Sequence, residues 1–170
     1  MLIICTIIAF CICFLYNCFA LIKFGIPKSL SETYYLFKQQ NLGILFPITM
    51  FSMTILLAPT LLSISEFHDW QFTAFLVIGG LLFTGCVPTF RDSVLEDRVH
   101  TIGATIAAVA ALLWTLLVTK IWIPALFWVI LISEIACLSN TQKCRVYWLE
   151  LITLLSTFSA IFITLFAPRW

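Results

Sequence analysis

Apolar residues run along this chain in long, nearly unbroken stretches, and the polar ones collect in short clusters between them. Leu2 to Phe24 is interrupted only by Thr6, Asn17 and Lys23 among clearly polar side chains. A bilayer core about 30 Å thick needs roughly 20 such residues per α-helix. The pattern predicts six transmembrane helices, at 2–24, 42–64, 72–87, 94–119, 122–138 and 146–166. Gly25-Ile26-Pro27, the run Ser65 to Gln71, Pro88 and the run Asn140 to Arg145 punctuate them. Pro47 and Pro59 remove backbone donors from the second segment and are expected to kink it. Between the first two segments, Ser29-Leu30-Ser31-Glu32 fits a capping box, in which a serine hydroxyl and a glutamate three residues on satisfy exposed backbone donors. It predicts a short helix over 30–40, with Leu30, Tyr34 and Phe37 on one side and lysines at its ends. That helix either lies in the membrane interface or packs on the bundle as a connector.

Composition makes the membrane reading the only one that fits. With 62% hydrophobic residues, 10% charged and a mean hydropathy of +1.11, a soluble sphere of this size has too little interior to hide the apolar side chains. The expected fold class is therefore all-α, a polytopic membrane helix bundle, with residues 1–170 forming a single transmembrane domain. The first segment has no basic residues before it and exceeds a cleaved signal's apolar core, so it is read as a span. A net charge of +1 with no basic stripe argues against nucleic acid as a partner. The seven cysteines lie mostly inside apolar runs, where cysteine acts as a small hydrophobe.

Charge also sets an orientation. Lys23, Lys28, Lys38, Arg91, Arg98, Lys143 and Arg145 fall in the odd-numbered connections, against Lys120 and Arg169 on the other side. The positive-inside rule then puts those connections in the cytoplasm and both termini outside.

Of the seventeen Asp, Glu, Lys and Arg residues, five lie between Arg91 and Arg98. Ser93-Val94-Leu95-Glu96 repeats the capping-box pattern there and predicts a helix from Val94. His100, Gly103, Ala107, Ala110 and Ala111 share one face of that helix, and small residues mark helix contacts in lipid, so the face is expected to look inward. In the last segment Glu150, Thr153, Thr157, Ala160 and Thr164 form a similar small and polar stripe. An ionisable residue inside a membrane is costly and is usually paired, neutralised or functional. His100, Asp97, Glu134, Glu150, Arg91 and Arg98 are accordingly the candidates for a ligand or proton site at the cytoplasmic ends of the last three spans. Asp97 or Glu96 would stabilise the imidazolium of His100. The competing structural reading has Glu134 and Glu150 pair with Lys143, Arg145 or Arg98 at the membrane rim.

No metal is expected, because His68 and His100 fall on opposite faces of the membrane in this topology. Nothing in the sequence implies a cofactor, and no nucleophile elbow, phosphate loop or His-Glu-x-x-His is present.

Pro88, the short charged connection and His100-Thr101-Ile102-Gly103-Ala104 opening a small-residue helix resemble six-helix membrane proteins related to the damage-regulated autophagy modulators and their uncharacterised bacterial relatives. The resemblance spans the third and fourth segments and implies a fold, with little about activity. Alkaline-ceramidase-like membrane hydrolases share the size and a buried polar cluster, but their triple-histidine zinc site is absent here. Three functions stay open. The first is binding or transport of a small molecule, ion or lipid at a protonatable pocket. The second is an accessory or assembly subunit, as a homo-oligomer or with a membrane partner. The third is an inner-leaflet lipid-modifying enzyme using His100 as acid or base, with Asp97 orienting it, Arg91 or Arg98 binding an anionic group, and Ser29, Ser31, Tyr34 and Tyr35 bordering the pocket.

Overall fold

The computed structural model describes residues 1–138 and 144–166. Lys143 and Arg169, both used in the charge count, lie outside them. Among the described residues the chain forms seven helices: α1 (Leu2–Phe24), α2 (Thr33–Lys38), α3 (Leu45–Ile64), α4 (Phe72–Cys86), α5 (Val94–Leu117), α6 (Ile123–Leu138) and α7 (Arg145–Phe166). α1, α3, α5 and α7 are long and apolar enough to cross a membrane, while α4 and α6 are shorter apolar helices. Exposed Ile4, Phe14, Ile55, Phe75, Ile102 and Phe127 cover the outer surface, as expected where lipid is the solvent.

The helix ends follow local chemistry. Ser93 sits in extended backbone and its hydroxyl accepts the Glu96 N–H, so α5 opens at Val94 as the capping pattern predicts. Pro47 falls in the first turn of α3, where a backbone donor has no intrahelical partner anyway; Pro59 alone lies inside that helix. The expected kink at Pro47 is therefore corrected.

The short helix is also shorter than expected, six residues rather than eleven. Half of the capping box forms, with Ser29 Oγ accepting the Glu32 N–H at 3.1 Å. Glu32 does not reciprocate to Ser29; its Oε2 takes the Lys28 N–H at 2.9 Å instead. The Thr33 hydroxyl donates back to the Leu30 carbonyl, and residues 30–32 become a turn.

α4 and α5 make the closest helix pair. A Cβ built on Gly80 would lie 2.6 Å from both Ala107 N and Gly103 O, so only glycine fits the crossing. His100, Gly103, Ala107, Ala110 and Ala111 are all buried, and the inward face of α5 is the one the sequence indicates. α3 packs between α1 and α4, α7 packs on α5 and α1, and α6 packs chiefly on α7. Buried polar pairs join these helices: Thr6 with Thr60 at 3.0 Å and Trp114 Nε1 donating to Ser65 Oγ at 2.7 Å. Each satisfies groups that would otherwise be stranded in an apolar interior.

Candidate functional site

The segment that ties the helices together at one end is the connection before and within α2, residues 26–37. Tyr16 of α1 hydrogen-bonds the Thr33 hydroxyl. On α7, Tyr147 donates its backbone N–H to the Lys28 carbonyl at 3.0 Å, and Glu150 Oε2 accepts the Leu30 N–H at 2.6 Å. The connection between α4 and α5 reaches the same segment through Arg91, whose guanidinium bonds Glu32 Oε1 at 2.7 Å and whose backbone N–H bonds the Tyr35 hydroxyl at 2.6 Å. Lys38 and Asp92 stand 3.9 Å apart at the surface.

His100 is the fourth attachment. Its Nδ1 lies 2.8 Å from the Val87 carbonyl oxygen and its Nε2 lies 2.7 Å from Ser31 Oγ. A carbonyl oxygen can only accept, so Nδ1 carries the ring proton. Nε2 of the neutral imidazole then accepts from the Ser31 hydroxyl. Phe90 stacks on the ring with centroids 4.5 Å apart, and both His100 and Ser31 are buried, 4% and 5% exposed.

Ser31 and Glu150 border a cavity of about 90 Å³ that runs between α3, α4, α5 and α7. Its wall is Phe46, Met50, Met53, Leu57 and Leu61 on α3, Val77 and Leu81 on α4, small alanines on α5, and Leu154 and Phe158 on α7. Thr84, Thr153 and Thr157 also line it, but each hydroxyl donates to a carbonyl four residues back in its own helix. That leaves Ser31 and Glu150, beside the first turns of α3 and α7, as polar groups at one end of an apolar slot. The stripe on α7 thus faces protein, with Thr153, Thr157 and Ala160 buried.

The six sequence candidates separate. His100 and Glu150 both engage the same connection, through adjacent residues Ser31 and Leu30. Arg91 is committed to Glu32. Asp97 and Arg98 are exposed on the first turns of α5, and the imidazole bonds Val87 and Ser31 rather than either nearby carboxylate. Glu134 is exposed on α6 and makes no hydrogen bond or ion pair with His100 or Glu150 among the described residues. Glu150 bonds a backbone amide, not Arg145 or Arg98, and Lys143 lies outside the described residues.

Ser31, Glu32 and Thr33 carry this geometry; the sequence marks Ser31 as a residue able to border a pocket and Glu32 through the capping box, but not Thr33 or the partners that any of the three find. Ser31 and His100 are 69 positions apart, and no periodicity links them. The available signal was the density of hydrogen-bonding side chains in a turn between two apolar runs. Partial burial pushes the Glu32 carboxyl up, but hydrogen bonds from Arg91 and the Lys28 amide outweigh it and hold the group below the ordinary carboxylate value. Burial likewise raises Tyr35 above the ordinary phenol value, opposed by the Arg91 amide.

Neither a family model, a curated protein nor a solved structure matches this chain.

Proposed function

We propose that this chain crosses the bilayer six times and admits part of the chain of a single-chain amphiphile to the slot between α3, α4, α5 and α7, which must widen from its volume of about 90 Å³ as the chain enters. At 15 and 16 residues, α4 and α6 reach about 22 to 24 Å, a shortfall that local thinning accommodates. Exposed Trp70 and Trp122 precede these two helices, consistent with both starting at one interface. The basic residues of the connections at 25–44 and 87–93 gather at the opposite end, around the Lys38–Asp92 and Arg91–Glu32 contacts. By the positive-inside rule that end is cytoplasmic. Termini found in the cytoplasm would overturn this topology.

The observation that carries the binding reading is an apolar cavity with polar groups at one end. An acyl chain gains nothing hydrophobic by moving from lipid into an apolar slot. Discrimination must therefore come from shape and from the polar end. Glu150 spends Oε2 on the Leu30 amide, and its other carboxyl oxygen offers an acceptor to the occupant. A head group bearing hydroxyls suits that acceptor.

The test is photo-crosslinking of a monoacylglycerol carrying a mid-chain diazirine, in nanodiscs, with adducts mapped by mass spectrometry. The expected adducts lie on Met53, Leu57 and Phe158, and Ala108→Phe, which fills the slot from α5, removes them. Adducts spread over lipid-facing residues such as Phe127, unchanged by Ala108→Phe, would refute binding in the slot.

A further inference from the structure

Resting on that amphiphile-binding reading, we propose that Ser31 is a nucleophile, with His100 as its base, and that the bound amphiphile is an ester hydrolysed through an acyl-Ser31 intermediate. Three features place the groups in the order such chemistry needs. Ser31 is one of the residues that line the cavity. His100 stands behind it, with Nε2 at 2.7 Å from Oγ. The Val87 carbonyl, 2.8 Å from Nδ1, fixes the tautomer that leaves Nε2 free to take a proton. Phe90, stacked on the imidazole, limits its rotation.

Here Ser31 lies at the polar end of an apolar slot, so an ester seated at that end would lie beside it. Glu150 beside it offers a carboxyl group for hydrogen bonding to a hydroxyl-bearing head group. The substrate class is therefore a carboxylic ester of a polyol, of the monoacylglycerol type.

The reaction balances with water as the only co-reactant. Ser31 Oγ adds to the ester carbonyl carbon while Nε2 takes the hydroxyl proton. Collapse breaks the bond between the carbonyl carbon and the alcohol oxygen, and His100 returns the proton to the departing alcohol. Water from the connection side then adds to the acyl carbon and gives its proton to Nε2. Breaking the bond to Oγ releases the acid and restores the Ser31 hydroxyl with that proton.

The experiment treats the purified full chain in nanodiscs with a long-chain fluorophosphonate, maps the adduct by mass spectrometry, and follows release of fatty acid from monoacylglycerol. The expected result is a stoichiometric phosphonyl adduct on Ser31, slowed by excess monoacylglycerol. Turnover should fall at least about 100-fold in Ser31→Ala and in His100→Gln, with the diazirine crosslinks kept. Crosslinks in the slot without an adduct on Ser31 and without turnover in the wild type would overturn the hydrolysis while leaving the binding reading standing. Neither crosslinks nor adduct would overturn both. An adduct on any other serine would overturn the assignment of the nucleophile. The wild-type measurements decide the matter even if a variant fails to fold.

Discussion

Two adjacent glycines make opposite predictions. A Cβ added to Gly80 would lie 2.6 Å from Ala107 N, 2.6 Å from Gly103 O and 2.8 Å from Ala107 Cβ, whereas one added to Gly79 would meet nothing within 4 Å. Ordinary contact begins near 3.5 Å, so Gly80→Ala forces α4 and α5 apart by about 0.8 Å. Two of the three obstructing atoms are backbone, and no rotamer change relieves them. Overpacking of this kind costs about 1 to 3 kcal/mol, and the rigid neighbours put this site at the upper end. Gly79→Ala instead removes the helix penalty of glycine, a gain of about 1 kcal/mol at most. The variants should differ by about 3 kcal/mol, roughly 150-fold in the folding equilibrium. The assay is unfolding in dodecyl maltoside micelles titrated with sodium dodecyl sulfate, followed by tryptophan fluorescence. Equal shifts for the two variants, in either direction, would refute the close crossing at Gly80.

The Thr6–Thr60 hydrogen bond, 3.0 Å long and buried between α1 and α3, should behave as a coupled pair. Thr60→Val strands the Thr6 hydroxyl and costs about 1 kcal/mol, Thr6→Val costs less because Thr60 Oγ1 keeps the Leu2 carbonyl at 3.5 Å, and the double variant costs less than the two together; strict additivity in the same titration would count against the contact. Glu32, held below the ordinary carboxylate value, contributes stability that is present above the unfolded-state value and is lost as the pH falls through the depressed folded value. Wild type should therefore exceed Glu32→Gln in stability by about 1 kcal/mol at neutral pH, and the gap should close on acidification below about pH 4.5. A gap independent of pH would show that Glu32 acts by packing alone.

What was legible in the sequence is what repeats or caps. The bounds of α1, the start of α5 at the Ser93 cap and the inward set His100, Gly103, Ala107, Ala110 and Ala111 all follow from local periodicity and backbone chemistry. Helix identity in lipid is a local property, because every backbone donor must be satisfied within its own segment. Pairing across the bundle is not local. Gly79 and Gly80 read alike in sequence, and only the azimuth of α5 tells them apart. Glu134 and Glu150 read alike as carboxylates within a turn or two of a helix end, yet α7 meets the connection at Leu30 while α6 lies outside it. Asp97 sits a turn from His100, but Cβ vectors lean toward the helix N-terminus and the imidazole reaches back to Val87 and across to Ser31.

The polar groups of this chain sort by what remains of them after pairing, and that separates adhesive from site. Trp114 with Ser65 and Trp128 with Ser159 each join two helical layers through one hydrogen bond, and neither serine borders the cavity. The buried threonines facing the slot return their protons to their own helices. Ser31 differs because its hydroxyl is paired with a histidine ring nitrogen while the residue still lines the cavity. Glu150 differs because one oxygen holds the Leu30 amide and the residue still borders the same cavity. Both are held by backbone: the Leu30 amide fixes Glu150, and the Val87 carbonyl fixes the ring that orients Ser31. Backbone partners cannot rotate away as side chains do, so both contacts hold their side chains in place. In a bilayer apolar contact distinguishes one acyl chain poorly from another, so under the proposed binding function this pair is what would select an occupant.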